Sequence, residues 1–260
     1  MNTILSARGV SKRFAGHQGS GGVLALDAIS LEVREGEFLC LLGASGCGKS
    51  TLLNMFAGFV APSGGEIRLR DEAITGIDPR CGMVFQSYAL FPWKTVRENV
   101  AFGPKMKGIG RGERRDIAER FLAMVGLSGF AGHYPVELSG GMQQRVTLAR
   151  CLAANPEVML MDEPFAALDA MTREVLQGEL MRIQAQSGKT IVFVTHNIDE
   201  ALVMADRIVV MSPRPGRIAA VIDNDLPRPR DIEAQSLPAY AALKRQVWNL
   251  IAGDLMAHAA

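Results

Sequence analysis

Two stretches of this chain place glycines where a backbone could wrap around phosphate. The first, GASGCGKST at 43–51, fits the spacing G-x-x-x-x-G-K-[ST] through Gly43, Gly48, Lys49 and Ser50. Glycines let the chain curl with its N–H groups inward, and a helix starting at the loop's end turns its positive pole toward the anion. In that pattern the lysine, Lys49, reaches the β- and γ-phosphates and the Ser50 hydroxyl can bind Mg²⁺. Ala44, Ser45, Gly46, Cys47 and Thr51 complete the stretch. The second, LSGGMQQR at 138–145, puts Ser139 where a helix N-cap belongs, with Gly140 and Gly141 next. Free N–H groups and a helix dipole would face outward there too.

Acidic groups stand where a metal and a water would need them. VMLMDEP (158–164) runs four apolar residues into Asp162 and Glu163, at the carboxyl end of a strand, where open α/β sheets place their ligands. Asp162 is expected to hold Mg²⁺, directly or through water. Glu163, one residue later, could polarise an attacking water as a general base. By itself such a pair could equally be two loop carboxylates; beside a phosphate loop it reads as catalytic. His196 closes another apolar run in IVFVTHN (191–197). A lone histidine is more often structural. This one follows its strand as Lys49 and Asp162 follow theirs, so a γ-phosphate contact is expected. Gln86, after the short run in GMVFQS, offers an amide that could orient water or the metal, although exposed glutamines are common.

Strands and helices must bring these groups together. FLCLL (38–42), VMLM (158–161) and IVFV (191–194) are continuous apolar runs, as expected of strands covered on both faces. ISLEV (29–33) and EIRLR (66–70) alternate with period two and read as half-exposed strands of an antiparallel β subdomain. Helical periodicity over 113–126 gathers Ile117, Phe121, Leu122 and Val125, and over 170–185 it gathers Leu176, Leu180 and Ile183. The expected class is α/β, a P-loop NTPase core with a mostly parallel sheet. Residues from about 87 to 140 break the alternation and read as a helical subdomain inserted into that core, one helix opening on the capping box TVRE, Thr95 to Glu98. MSPRPGRI (211–218) reads as a Pro/Gly turn between two short strands. The expected ATPase domain is 1–225, followed by a partly helical tail over 226–260.

The totals narrow the classes. The chain has 260 residues, 48% hydrophobic and 21% charged, which is ordinary for a globular protein with a sizeable core. A formal net charge of +1 gives no bulk attraction for nucleic acid. No window approaches about 18 uninterrupted apolar residues, so no membrane span is expected, and MNTILSARGV lacks the apolar core of a secretory signal. Cys40, Cys47, Cys81 and Cys151 show no CxxC spacing and read as reduced thiols of a cytosolic chain. Cys47 at a helix N-terminus could have an acidified thiol, or could be a small residue that fits the loop.

One phosphate loop already surrounds the phosphates of its own nucleotide, so the second cradle, on the helical insertion, needs another. The geometric solution is an ATP shared between two copies of the chain, each closing the other's site. At this point residues 4 to 220 resemble the ATPase subunit of an ABC transporter. The resemblance rests on the phosphate loop, Gln86, LSGGMQQR, MLMDEP, ALD (167–169) and His196, in that order. It implies a head-to-tail dimer sandwiching two ATP molecules, an aromatic at Phe14 under the adenine, and Asp169 at the nucleotide. Met142, Ala166 and Asn197 depart from the family's commoner residues without removing a catalytic group.

The resemblance extends to what the ATPase drives. AGFVAPSGGEI, LFPWKTVRENVAFG and MSPRPGRI are similar to the nitrate/sulfonate/taurine import ATPases of bacteria. That group implies ATP and Mg²⁺ as cofactors, transmembrane permease subunits as partners and, indirectly, an extracytoplasmic substrate-binding protein. The place of work would be the cytoplasmic face of the inner membrane, and the cargo a small solute such as nitrate, a sulfonate or taurine. Tyr88, Leu90, Phe91 and Trp93 crowd apolar groups into a surface-prone stretch and are the expected dock for the permease, unless they pack the helical subdomain instead. The alternatives are a soluble ATPase of the same type acting on a macromolecule, and a separate-subunit exporter ATPase.

Overall fold

The computed structural model describes residues 2–15, 22–166, 168–230 and 232–259. Ala167 of the ALD motif lies outside them. In chain order the strands are β1 (Thr3–Phe14), β2 (Val23–Arg34), β3 (Phe38–Leu42), β4 (Gly64–Leu69), β5 (Glu72–Ala73), β6 (Cys81–Val84), β7 (Val158–Asp162), β8 (Thr190–Thr195), β9 (Arg207–Met211) and β10 (Ile218–Asp223). The helices are α1 (Lys49–Phe56), α2 (Val96–Val100), α3 (Phe102–Met106), α4 (Arg111–Met124), α5 (Gly140–Ala153), α6 (Ala170–Ser187), α7 (Ile198–Met204), α8 (Ile232–Gln235) and α9 (Pro238–Ala259). The chain divides into two compact units, Met1–Asp78 with Gly188–Ala260, and Pro79–Ser187.

The first unit contains two β layers. One is antiparallel in the order β2-β1-β4-β5. Its alternation follows the pleat: Ile29, Leu31 and Val33 of β2 are buried while Ser30 and Glu32 between them are exposed. In the other layer β3 pairs in parallel with both β8 and β9, and β9 pairs antiparallel with β10. Every residue of β3 and of β8 is buried, which is why both read as unbroken apolar runs. The turn over 212–217 joins β9 to β10 as an antiparallel hairpin. The unit ends in α9, which extends over 22 residues. Proline in its first turn, an alanine-rich start and the buried anchors Tyr240 and Val247 account for the extension.

The second unit pairs β6 with β7 in parallel. Around α5 stand α2, α3 and α4, with a shared core of Val96, Val100, Leu122, Val125, Val146 and Ala149. Ile117 and Phe121 lie at its margin, half-buried. The Thr95 side chain accepts from the Glu98 N–H while the Glu98 carboxylate accepts from the Thr95 N–H, so the expected capping box opens α2. Leu176, Leu180 and Ile183 are the buried stripe of α6.

Candidate functional site

In the first unit the phosphate loop leaves β3 and enters α1. Leu42 pairs with Thr195, so Gly43 and His196 depart from the same edge of neighbouring parallel strands. The loop's shape depends on glycine. Gly46 and Gly48 adopt φ of +79° and +100°, and a Cβ on Gly48 would lie 2.5 Å from the Leu26 side chain. Gly43 is equally confined, its Cβ direction pointing at the Met211 carbonyl 2.8 Å away. Lys49 is only 5% exposed. Its ammonium donates to the carbonyls of Gly43 at 2.8 Å and Ala44 at 3.0 Å, so the charge is held by the loop it would serve. Ala44 is half-buried, and Ser45, Gly46 and Ser50 are exposed. No acidic residue stands in the first turn of α1, nor does a side chain cap it, so the positive pole of the helix meets no negative side chain there. Thr51 follows in the same turn. Cys47 is buried, which favours the space-filling role over a reactive one.

The hairpin over 212–217 closes on this loop from outside. Gly216 donates its N–H to Ala25 and accepts from Asp27, and a Cβ on it would lie 2.0 Å from the Cys47 carbonyl. Arg214 donates to the Gly46 carbonyl at 3.4 Å, and Arg217 pairs with Asp27. Sequence reasoning saw a turn there and missed its contact with the phosphate loop. The Pro/Gly composition signals a turn without saying what it touches.

His196 is exposed between β8 and α7. Asn197 caps α7: its Oδ1 accepts from the N–H of Asp199 at 2.8 Å and of Glu200 at 3.4 Å. Asparagine is among the strongest helix caps, so this residue starts α7 well. Phe14 ends β1 at 43% exposure with the Lys12 ammonium 5.2 Å from its ring centre, so it is no core residue.

In the second unit Val84 pairs with Met161, so Gln86 and the Asp162–Glu163 pair leave the same end of two parallel strands. Asp162 is half-buried at the end of β7. Glu163 has φ +43°, a left-handed backbone at a residue with a side chain. Such conformations cost about 1–3 kcal/mol and gather at functional sites. Asp169 accepts from the Thr172 N–H at 3.0 Å, and that bond holds its carboxyl below the usual range.

The second cradle has the expected form. Ser139 is the N-cap of α5, its hydroxyl accepting from the Met142 N–H at 3.3 Å, and Ser139 and Gly140 are exposed. Side chains at the glycines would be crowded: a Cβ on Gly140 would lie 3.0 Å from the Tyr88 hydroxyl and one on Gly141 2.9 Å from the Thr172 methyl, so those side chains would have to move aside. The expected docking residues divide. Trp93 is 70% exposed. Phe91 stacks 4.7 Å from Phe102 and Leu90 packs on the helical core, so both are largely structural. Tyr88 is half-buried, and its carbonyl accepts from Thr147 and Arg150 of α5. Arg150 also holds the Ala89 carbonyl at 2.7 Å. This tie between the segment after Gln86 and the helix of the second cradle was invisible in the sequence, because carbonyl acceptors carry no residue signature.

Residues 26–166 match the ABC transporter family, and the chain belongs to it. The taurine import ATP-binding protein TauB of Roseobacter denitrificans is 46% identical over 96% of this chain and 94% of its own. An uncharacterized ABC transporter ATP-binding protein of Methanocaldococcus jannaschii is 50% identical over 90% and 86% of the two chains. Among solved structures, a dimeric ATP-binding cassette in a post-hydrolysis state bound to ADP and Pi is 35% identical, with a TM-score of 0.76 over 85% of this chain and 98% of its own. The fold is thus the α/β ATP-binding cassette that the motifs predict, and the chain is an ATP-binding ATPase of that family. No described helix is long and apolar enough to cross a membrane.

Proposed function

We propose that this chain is the ATP-hydrolysing subunit of an importer for taurine or a related small sulfonate. The observation that carries this reading is the 45–50% identity to taurine import ATP-binding proteins over most of the chain. It favours an importer over both the soluble ATPase and the exporter. Residues 1–225 form the ATPase domain, with a helical insertion over about 87–140 and a tail over 226–260.

ATP binds with its phosphates in the loop Gly43–Thr51 and its adenine against Phe14. Lys49 exchanges its two carbonyl partners for the β- and γ-phosphates. Ser50, Asp162 and Gln86 supply a hydroxyl, a carboxylate and an amide oxygen, the hard donors that suit Mg²⁺. Bound there, the ion neutralises charge on the phosphates. Glu163 accepts a proton from the attacking water, and His196 contacts the γ-phosphate. Ser139, Gly140 and Gly141 of a second copy close the site, with Asp169 beside it. Trp93, supported by Tyr88, Leu90 and Phe91, meets a permease at the cytoplasmic face of the inner membrane, and an extracytoplasmic binding protein delivers the cargo.

The test is affinity capture of the tagged full chain from detergent-solubilised native membranes. A multi-span permease should co-purify, and its binding protein should take up taurine. Recovery with soluble proteins alone would overturn the importer and leave the ATPase standing.

A further inference from the structure

None of the residues assigned above to the nucleotide lies after β10, yet five polar side chains of that segment converge on one short helix, α7, which begins two residues after His196. At the helix's carboxyl end Asn224 donates to the carbonyls of Leu202 and Ala205, each at 2.9 Å. Arg228 donates to the Met204 carbonyl at 2.8 Å and pairs with Asp206 at 2.6 Å. Arg230, itself buried, reaches the carbonyls of Leu202 and Ala205 and is held by those of Asn224 and Leu226. The last carbonyls of a helix have no partner within it, and here the downstream chain supplies one. At the amino end the Asp199 carboxylate accepts from the Tyr240 hydroxyl and the Lys244 ammonium, both at 2.9 Å. Tyr240 is 3% exposed, and Val247, about two turns further along the same face, is fully buried, so α9 is seated rather than laid on the surface.

A helix of seven residues has little stability of its own. Its geometry is therefore set by what grips it, and the residue gripped at its start is the one whose N–H donates to the Asn197 cap. The cap is covalently next to His196. Asp199 joins the two systems: its main chain belongs to the turn that carries the histidine, its side chain to α9. An exposed ion pair alone would contribute little. A hydrogen bond from a buried phenol to a carboxylate fixes direction as well, because the buried ring cannot follow the loop.

We propose that the C-terminal segment is a latch that positions His196, with Asp199, Tyr240 and Lys244 as positioning residues for ATP turnover. The inference rests on the role assigned to His196 above. The experiment measures kcat and KM for ATP, with the melting temperature, in the full chain carrying Tyr240→Phe with Lys244→Met. It repeats the pair in a His196→Ala background and adds Lys244→Arg as the conservative variant. The expected result is a kcat about fivefold lower with KM within about twofold, near-parental kcat for Lys244→Arg with Tyr240 intact, and no further loss once His196 is gone, as coupled residues behave. An unchanged kcat, or the same loss in the His196→Ala background, would overturn the latch. A His196→Ala chain that turns over ATP at the parent rate would instead overturn the role of the histidine.

Discussion

Lys49 and Glu163 are both held in states that a folded chain does not choose freely. The lysine is buried on carbonyls of its own loop, and the glutamate has a left-handed backbone. In the proposed role Lys49 would exchange those carbonyls for phosphate, one set of acceptors for another. Glu163→Gln preserves shape and removes the proposed base. It should keep ATP affinity while lowering turnover roughly 10²-fold or more; a nucleotide titration beside a phosphate-release assay checks it, and near-parental turnover would exclude the role. Gly216→Ala tests the hairpin over the phosphate loop. Its Cβ has no room beside the Cys47 carbonyl, so the loop or the turn must shift. The expected cost is about 1–3 kcal/mol, with weakened ATP binding, read from thermal melts and titration. Gly43, Gly48 and Lys49 were legible from their spacing. Gly216 was not, because a glycine in a Pro/Gly turn looks the same whether it faces solvent or a neighbouring carbonyl.

Elements buried on both faces announced themselves: β3, β7 and β8 are continuous apolar runs because each side chain, up or down, meets protein. The stripe of α6 was equally plain. Elements held by polar side chains stayed hidden. Residues 224–230 carry no apolar run, and Asn224 and Arg230 prove to be buried. Their acceptors are main-chain oxygens, so no partner residue could have pointed to them. The apolar cluster over 88–93 was half legible: Tyr88, Leu90, Phe91 and Trp93 fall within six residues, while only the folded helices decide that Leu90 and Phe91 turn inward. The capping box of α2 yields a pH prediction. The Thr95 N–H holds the Glu98 carboxyl below its ordinary value. A lowered folded pKa means that the cap's contribution is present above the unfolded value and lost as pH falls through the folded one. Melts of the parent and Glu98→Gln should therefore differ at pH 7 and converge under acid, by well under about 1 kcal/mol because the pair is exposed.

At the scale of the whole molecule, one chain carries a phosphate loop, an acidic pair and a second cradle, and the related cassette bound to ADP and Pi is dimeric. Two copies would therefore form two equivalent sites. Ser139→Arg places bulk and charge at the exposed start of α5. Nucleotide binding by the single chain should persist while hydrolysis and ATP-dependent dimerisation fail, as measured by titration, phosphate release and sedimentation. Loss of binding to the single chain would show that the second cradle serves its own loop instead.

The thiol of Cys47 sits beneath the phosphate loop at 1% exposure, while Cys81 is half-exposed. An alkylating reagent can reach Cys47 only when the loop lifts, so its labelling rate reports the frequency of that opening. Cys81 should be modified first and serve as the internal reference. Saturating ATP should slow the second event and leave the first unchanged. The loop thus carries its own stopwatch, readable by mass spectrometry without adding any probe to the chain.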